Sequence, residues 1–175
     1  MKKIALVCLF ALVGMSGVHA GMGLGIVYGG SPNDWNYSGY ASSMGLSLGF
    51  GNNEEVKWEM AVRMWFQGQG ESFFMKIAAD ADWHVARWTP LRWLQLYAGV
   101  GPYAQVGFYT HANQGNTNLT LGGRVPLGVR FILGSAFDIW LAMVPALGLD
   151  MSFGSKTQVG VGGGIGGEVG VRIWF

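Results

Sequence analysis

Between Glu55 and Arg172 the chain carries charged side chains that repeatedly sit two positions apart. Glu55, Lys57, Glu59 and Arg63 form one run, and Lys76, Asp80 and Asp82 form the next. Arg124 and Arg130, then Asp138, then Glu168 and Arg172 complete the set. A spacing of two puts such groups on one face of an extended strand. Six cations and six anions balance. Isolated buried charges cost several kcal/mol each, so a face of this kind turned inward requires partners for every member. Two chemistries fit: a path for ions or solute, or a lattice of mutual salt bridges that fills an interior.

Asp80, Asp82 and His84 also share a face and have the donor types of a metal site or of an acid and base pair. No second histidine lies nearby in sequence, since His111 is far along the chain. The expectation is a partnered structural histidine, with no metal, cofactor or catalytic residue. Gly162, Gly164 and Gly167 match a dinucleotide-binding fingerprint by letter only. Alternation continues straight through them, and they open no helix. Asn118-Leu119-Thr120 fits a glycosylation pattern without further support.

The elements that must position these charges are strands, because one parity is large and apolar while the other is small or charged. Eight segments follow this rule. In Gly21 to Tyr28, Met22, Leu24, Ile26 and Tyr28 oppose glycines; in Tyr40 to Phe50, Met44, Leu46, Leu48 and Phe50 oppose serines and glycines. Val56, Trp58, Met60, Val62, Met64 and Phe66 form the third set, and Phe73, Met75, Ile77, Ala79, Ala81 and Trp83 the fourth. Leu91 to Tyr109, containing Pro102, is the fifth; Leu119 to Phe131 the sixth; Phe137 to Asp150 the seventh; Val161 to Phe175 the eighth. Keeping both apolar sets on one face requires directly opposed residues of the third and fourth strands to sum to an odd number. Lys57 opposite Asp82 or Asp80 is the favoured pairing. Gly51 to Glu54, Ala86 to Pro90 and Gly134 to Ala136 read as short turns. Gly29 to Gly39 and Thr110 to Asn118 read as long polar loops, with Gln67 to Glu71 and Ser152 to Thr157 intermediate. Inward glycines are expected to make room for Trp65, Trp93, Trp140 and Trp174.

Composition narrows the setting. Residues 1–20 hold Lys2, Lys3, an apolar run from Ile4 to Val13 and the ending Val18-His19-Ala20, the form of a cleavable signal peptide. The run is too short to span a bilayer as a helix. The expected mature domain is 21–175, beginning at Gly21. The only cysteine, Cys8, falls in the leader, so residues 21–175 contain no thiol for a disulfide or a metal. Without Lys2 and Lys3 the chain keeps nine basic and ten acidic residues, which is no footprint for nucleic acid. Charged residues are 12% of the chain, where soluble domains have about 25%.

A lipocalin-like barrel would also alternate, with its apolar face inward. Three features favour the reverse. The charged parity is diluted with glycine and alanine, as a cramped interior needs. Apolar-parity aromatics gather at strand ends, with Tyr28, Tyr40, Phe66, Phe73 and Phe108 at one level and Phe50, Trp58, Trp83, Phe131, Phe137 and Phe175 at another. Two such rings are the aromatic girdles of a membrane barrel. The chain also ends on Val169-x-Val171-x-Ile173-x-Phe175.

In length, strand count and this terminal pattern the chain resembles the small eight-stranded outer-membrane barrels of the OmpA transmembrane-domain and OmpX type. Gly123-Arg124-Val125-Pro126-Leu127-Gly128-Val129, Val144-Pro145-Ala146-Leu147-Gly148-Leu149 and the glycine-rich last strand more narrowly resemble a family of such barrels without an assigned activity. The resemblance implies an all-β, up-and-down antiparallel transmembrane barrel in the bacterial outer membrane, both termini periplasmic. It also implies partners in outer-membrane lipids and, through the strand ending at Phe175, in the barrel-assembly machinery. An eight-stranded barrel is only just wide enough for its side chains. Lys57, Glu59, Arg63, Lys76, Asp80, Asp82, Arg124, Arg130, Asp138, Glu168 and Arg172 are therefore expected to plug the lumen. A narrow conduit or hydrophobic-ligand carrier is the alternative. A lipid A-modifying enzyme is the third reading, but His111 has no serine in its own loop, and Ser38 or Ser72 would have to come from elsewhere.

Overall fold

The computed structural model describes residues 21–30, 42–69, 72–111, 114–154 and 156–175. The leader and positions 31–41, including Ser38 and Tyr40, lie outside the described residues. The described residues form nine strands: β1 Gly21–Gly30, β2 Ser42–Gly51, β3 Val56–Gln69, β4 Ser72–Leu91, β5 Leu94–His111, β6 Gln114–Arg124, β7 Leu127–Leu133, β8 Phe137–Phe153 and β9 Gln158–Trp174. Every pairing is antiparallel. Each strand pairs with its sequence neighbour, except that β6 and β7 lie in line between β5 and β8 as one interrupted wall strand. Pairing of β1 with β9 closes the sheet, so no edge is left along that seam from Gly23 to Gly29.

The break between β6 and β7 departs from the single sixth strand expected, and Pro126 is its cause, because proline has no N–H to donate. Neighbours bridge the gap: Gly99 N–H donates to the Pro126 carbonyl at 2.8 Å, and Val125 N–H to the Pro145 carbonyl at 2.9 Å. Pro102 stays within β5, opposite Gly123.

Three connections differ from expectation. Ala86 to Pro90 is not a turn; β4 runs to Leu91 with irregularities near Val85 and after Trp88, and Arg92-Trp93 makes the turn. Thr110 to Asn118 is not a long loop either, since β5 and β6 remain paired out to His111 and Gln114. Likewise β3 continues through Gln69 and β4 starts at Ser72. Cross-strand pairing of Thr, Asn, Tyr and Phe side chains supports a ladder beyond the apolar segment that the sequence pattern marks.

The expected facing holds across most of the wall. Leu46, Val62, Met64, Leu141 and Val171 are exposed, while Ser47, Arg63, Asp80, Trp140 and Arg172 are buried inside. Between Phe50 and Gly51 the β2–β3 ladder slips by one residue, leaving Lys57 as the extra residue between Trp58 and Val56. Such a bulge inverts the parity beyond it. Val56, expected outside, is therefore fully buried, and Lys57 points to solvent.

Candidate functional site

The lumen is crossed by two layers of charge. In the upper one, Arg63 on β3 donates to Asp80 of β4 and, across the barrel, to Glu168 of β9. Arg124, at the end of β6, donates to both Glu168 oxygens at 2.8 and 2.9 Å. Its Nε donates to Asp82 at 3.1 Å, its Nη2 also lies 2.9 Å from Asp82, and its Nη1 lies 3.2 Å from Asp80. Two arginines thus share three carboxylates in forked geometry, which is the arrangement that makes buried ion pairs strong. Lys76 lies beside them, its ammonium 5.5 Å from the Trp65 ring centroid, balancing the layer at three cations and three anions.

The lower layer centres on Arg172. Its guanidinium donates to Ser47 Oγ at 2.9 Å and lies 2.6 Å from Glu59, on the opposite wall. Trp140 and Trp174 flank it at 4.4 and 5.4 Å. Trp174 also donates through Nε1 to Asp138 at 2.6 Å, and Asp138 lies 3.7 Å from Arg130. Bare backbone makes room for these rings, as expected for Trp140 and Trp174. A Cβ on Gly170 would come within 2.2 Å of Trp140, and one on Gly128 within 2.5 Å of Tyr97. Trp93 departs from that expectation: it is exposed and stacks on Phe131 outside, with centroids 6.2 Å apart.

His84 lies flat against Tyr97 at 4.6 Å between centroids, its Nε2 3.9 Å from Glu59. Asp80 and Asp82 are held by the two arginines instead of converging with it. Among the described residues no group of three His, Cys, Asp or Glu is arranged to hold a metal ion.

Lys57 takes no part in the network, because the bulge turns it outward. The β3–β4 register has the odd sum required, but Glu59 faces Asp82 and Ala61 faces Asp80, in place of Lys57. Glu55 is half-exposed at the rim and bonds Arg87 at 2.9 Å. Ser47, Asn53 and Gln95 are buried polar groups that the charge pattern did not single out. Above the upper layer, a cavity of about 20 Å³ remains among Trp65, Lys76, Tyr103, Gln105 and Arg124. That is room for roughly one water molecule.

Outside, Phe50, Trp58 and Trp83 stack in a row, with centroid separations of 4.4 and 6.4 Å. Tyr28, Phe66, Phe73 and Phe108 are exposed near the other end.

No family model matches the chain, and no curated protein matches it. Solved structures do. The N-terminal β-barrel domain of Pseudomonas aeruginosa OprF is similar, with a TM-score of 0.50 at 15% identity, over 89% of this chain and 97% of that one. Ail, the attachment invasion locus protein of Yersinia pestis, gives 0.47 at 11% identity, and Neisserial surface protein A gives 0.46 at 17%. Both alignments cover 89% of this chain and 97% of the other. On its own closed topology and the OprF likeness, the chain has the fold of an eight-stranded outer-membrane β-barrel of the OmpA transmembrane-domain and OmpX type.

Proposed function

We propose that the chain is an integral protein of the bacterial outer membrane with a structural or surface-facing role, no chemistry of its own, and a lumen closed by its own side chains. The observation that carries this reading is the inversion of polarity between the two faces of the wall. Leucine, valine, methionine and aromatic side chains face outward, while Arg63, Arg124, Arg172, Asp80, Asp82, Asp138 and Glu168 are buried within. Water would not tolerate so apolar an exterior in a monomer, whereas hydrocarbon requires it. The ion pairs cross the lumen from β3 to β9, and Arg124 on β6 ties in both β4 and β9, so the same groups that balance charge also obstruct the axis.

The β1–β9 seam supports a second part of the proposal. Phe175 N–H donates to the Met22 carbonyl at 2.9 Å, so the terminal residue helps close the ring. Before closure, the strand ending at Phe175 presents an unpaired edge with alternating apolar residues, and we assign to it the contact with the assembly machinery. Outer-membrane lipids cover the rest.

Recording from mature protein in planar bilayers tests the closed lumen. The expected result is no steady current from the unmodified chain. A large, continuous current would establish the conduit instead.

A further inference from the structure

The turn between β2 and β3 does not hang below the barrel. Asn53 is buried, and its Nδ2 donates to the carbonyl of Gly134 at 2.6 Å and lies 3.4 Å from that of Phe137. Gly134 lies in the β7–β8 connection and Phe137 begins β8, which the strand order places on the far side of the ring. Three other side chains hold the same turn and its exit into β3. Arg130 of β7 donates to the Asn53 carbonyl at 2.7 Å, and Gln95 of β5 to the Glu54 carbonyl at 3.0 Å. Arg87 of β4 reaches the Val56 carbonyl at 3.3 Å and Glu55 at 2.9 Å. The turn is also pinned internally, since Asn52 Oδ1 accepts from the N–H groups of Glu54 and Glu55. Gly51 lets it enter the lumen: its φ of +132° lies where side chains rarely go, and a Cβ there would meet the Glu55 carbonyl at 2.1 Å.

We infer that Asn52–Glu55 is a floor drawn across the turn-side mouth of the barrel, a second seal in series with the charge layers and able to move as a unit. A turn of four residues needs few bonds for its own shape. Bonds from β4, β5, β7 and the β7–β8 connection serve to hold it across the opening. It carries no charge into the lumen, because what it inserts is the Asn53 amide and its own backbone, and Val56, the first residue of β3 after it, is fully buried. Opening the floor would admit solvent to Ser47, Glu59 and Arg172 without breaking the Arg63 and Arg124 pairs above.

This inference rests on the closed-lumen reading, and the test separates the two. Residues 21–175 contain no cysteine, so a single Ser47→Cys substitution reports on the lumen between floor and upper layer. A small charged thiol reagent is applied to the folded protein in detergent, with folding checked by gel mobility without heating. Labelling should be slow in the otherwise unmodified chain. It should be faster by roughly tenfold or more once Asn53→Ala and Gln95→Ala are added, as lowering the cost of a local opening requires. Fast labelling in the unmodified background, or an equal rate with and without the floor substitutions, overturns the inference. If the combined variant does not fold, Gln95→Ala alone is read by the same two criteria. A bilayer current from the unmodified chain would remove the closed-lumen reading, whereas this labelling addresses the turn alone.

Discussion

Val62 and Arg63 are adjacent, and the wall separates them completely: Val62 is 54% exposed and Arg63 6%. Arginine on the lipid face costs about 2 to 4 kcal/mol at the midplane of a bilayer. Val62→Arg should therefore block assembly or reduce folded yield severely, read as the unheated folded band on a gel. Ala61→Ser, one residue away on the inner face and opposite Asp80, should fold normally, because a hydroxyl can join the polar network. Arg63→Ala leaves Glu168 and Asp80 with one shared arginine, Arg124, in place of two. Breaking a buried pair costs about 3 to 5 kcal/mol, so the urea midpoint in lipid vesicles should fall without a matching rise in conductance. An unchanged midpoint would show that the pair is not holding the wall together. At this scale the charged residues were legible, because they alternate with bulky apolar neighbours. Ser47, Asn53 and Gln95 were not: a serine among glycines and an asparagine in a turn have ordinary local explanations, and only closure of the ring brings them against Arg172, Gly134 and Glu54.

Among the elements, the strands were legible where alternation ran unbroken and misjudged where something local interrupted or extended it. Lys57 shows the first failure, since a period of two carries no sign that one residue has been inserted and the parity beyond it reversed. Thr110 to Asn118 shows the second, because polar residues read as a loop although the β5–β6 pairing runs out to His111 and Gln114. Pro126 broke the sixth strand for a reason visible in its chemistry, yet the pattern on both sides was continuous enough to hide the break. Glycine is the element-scale counterpart of the buried rings. Gly170→Val would drive a branched side chain into Trp140, against which Arg172 lies. The expected outcome is a lowered unfolding midpoint together with altered tryptophan fluorescence from the folded protein. Gly160→Ala, in the same strand, meets nothing within 4 Å and should leave both unchanged. If the two substitutions behaved alike, the inward glycines of β9 would not be there for packing.

For the molecule as a whole, the decisive question is which solvent the outer surface was built for. A soluble ligand-binding barrel and a membrane barrel both alternate, and both suffer from a charge placed on the apolar face, so Val62→Arg alone does not separate them. The distinction lies in where the apolar face points. Here it is the outside: Met44, Leu46, Phe66, Leu147 and Val161 are each more than 60% exposed, and the lumen holds the charges instead. At roughly 25 cal/mol per Å² of apolar surface left in water, a continuous belt of this kind opposes the monomeric state in buffer, and association or collapse would follow. Residues 21–175 refolded by dilution from urea should therefore aggregate in plain buffer and fold to a monomer only when detergent or lipid vesicles are present. Sedimentation with circular dichroism at the same protein concentration checks both arms. The control is Val62→Arg, which should fail in vesicles while leaving the buffer result unchanged, because one charge cannot solubilise the whole belt. Unmodified protein that stayed monomeric, folded and β-rich in buffer would overturn the membrane assignment even with the barrel topology intact.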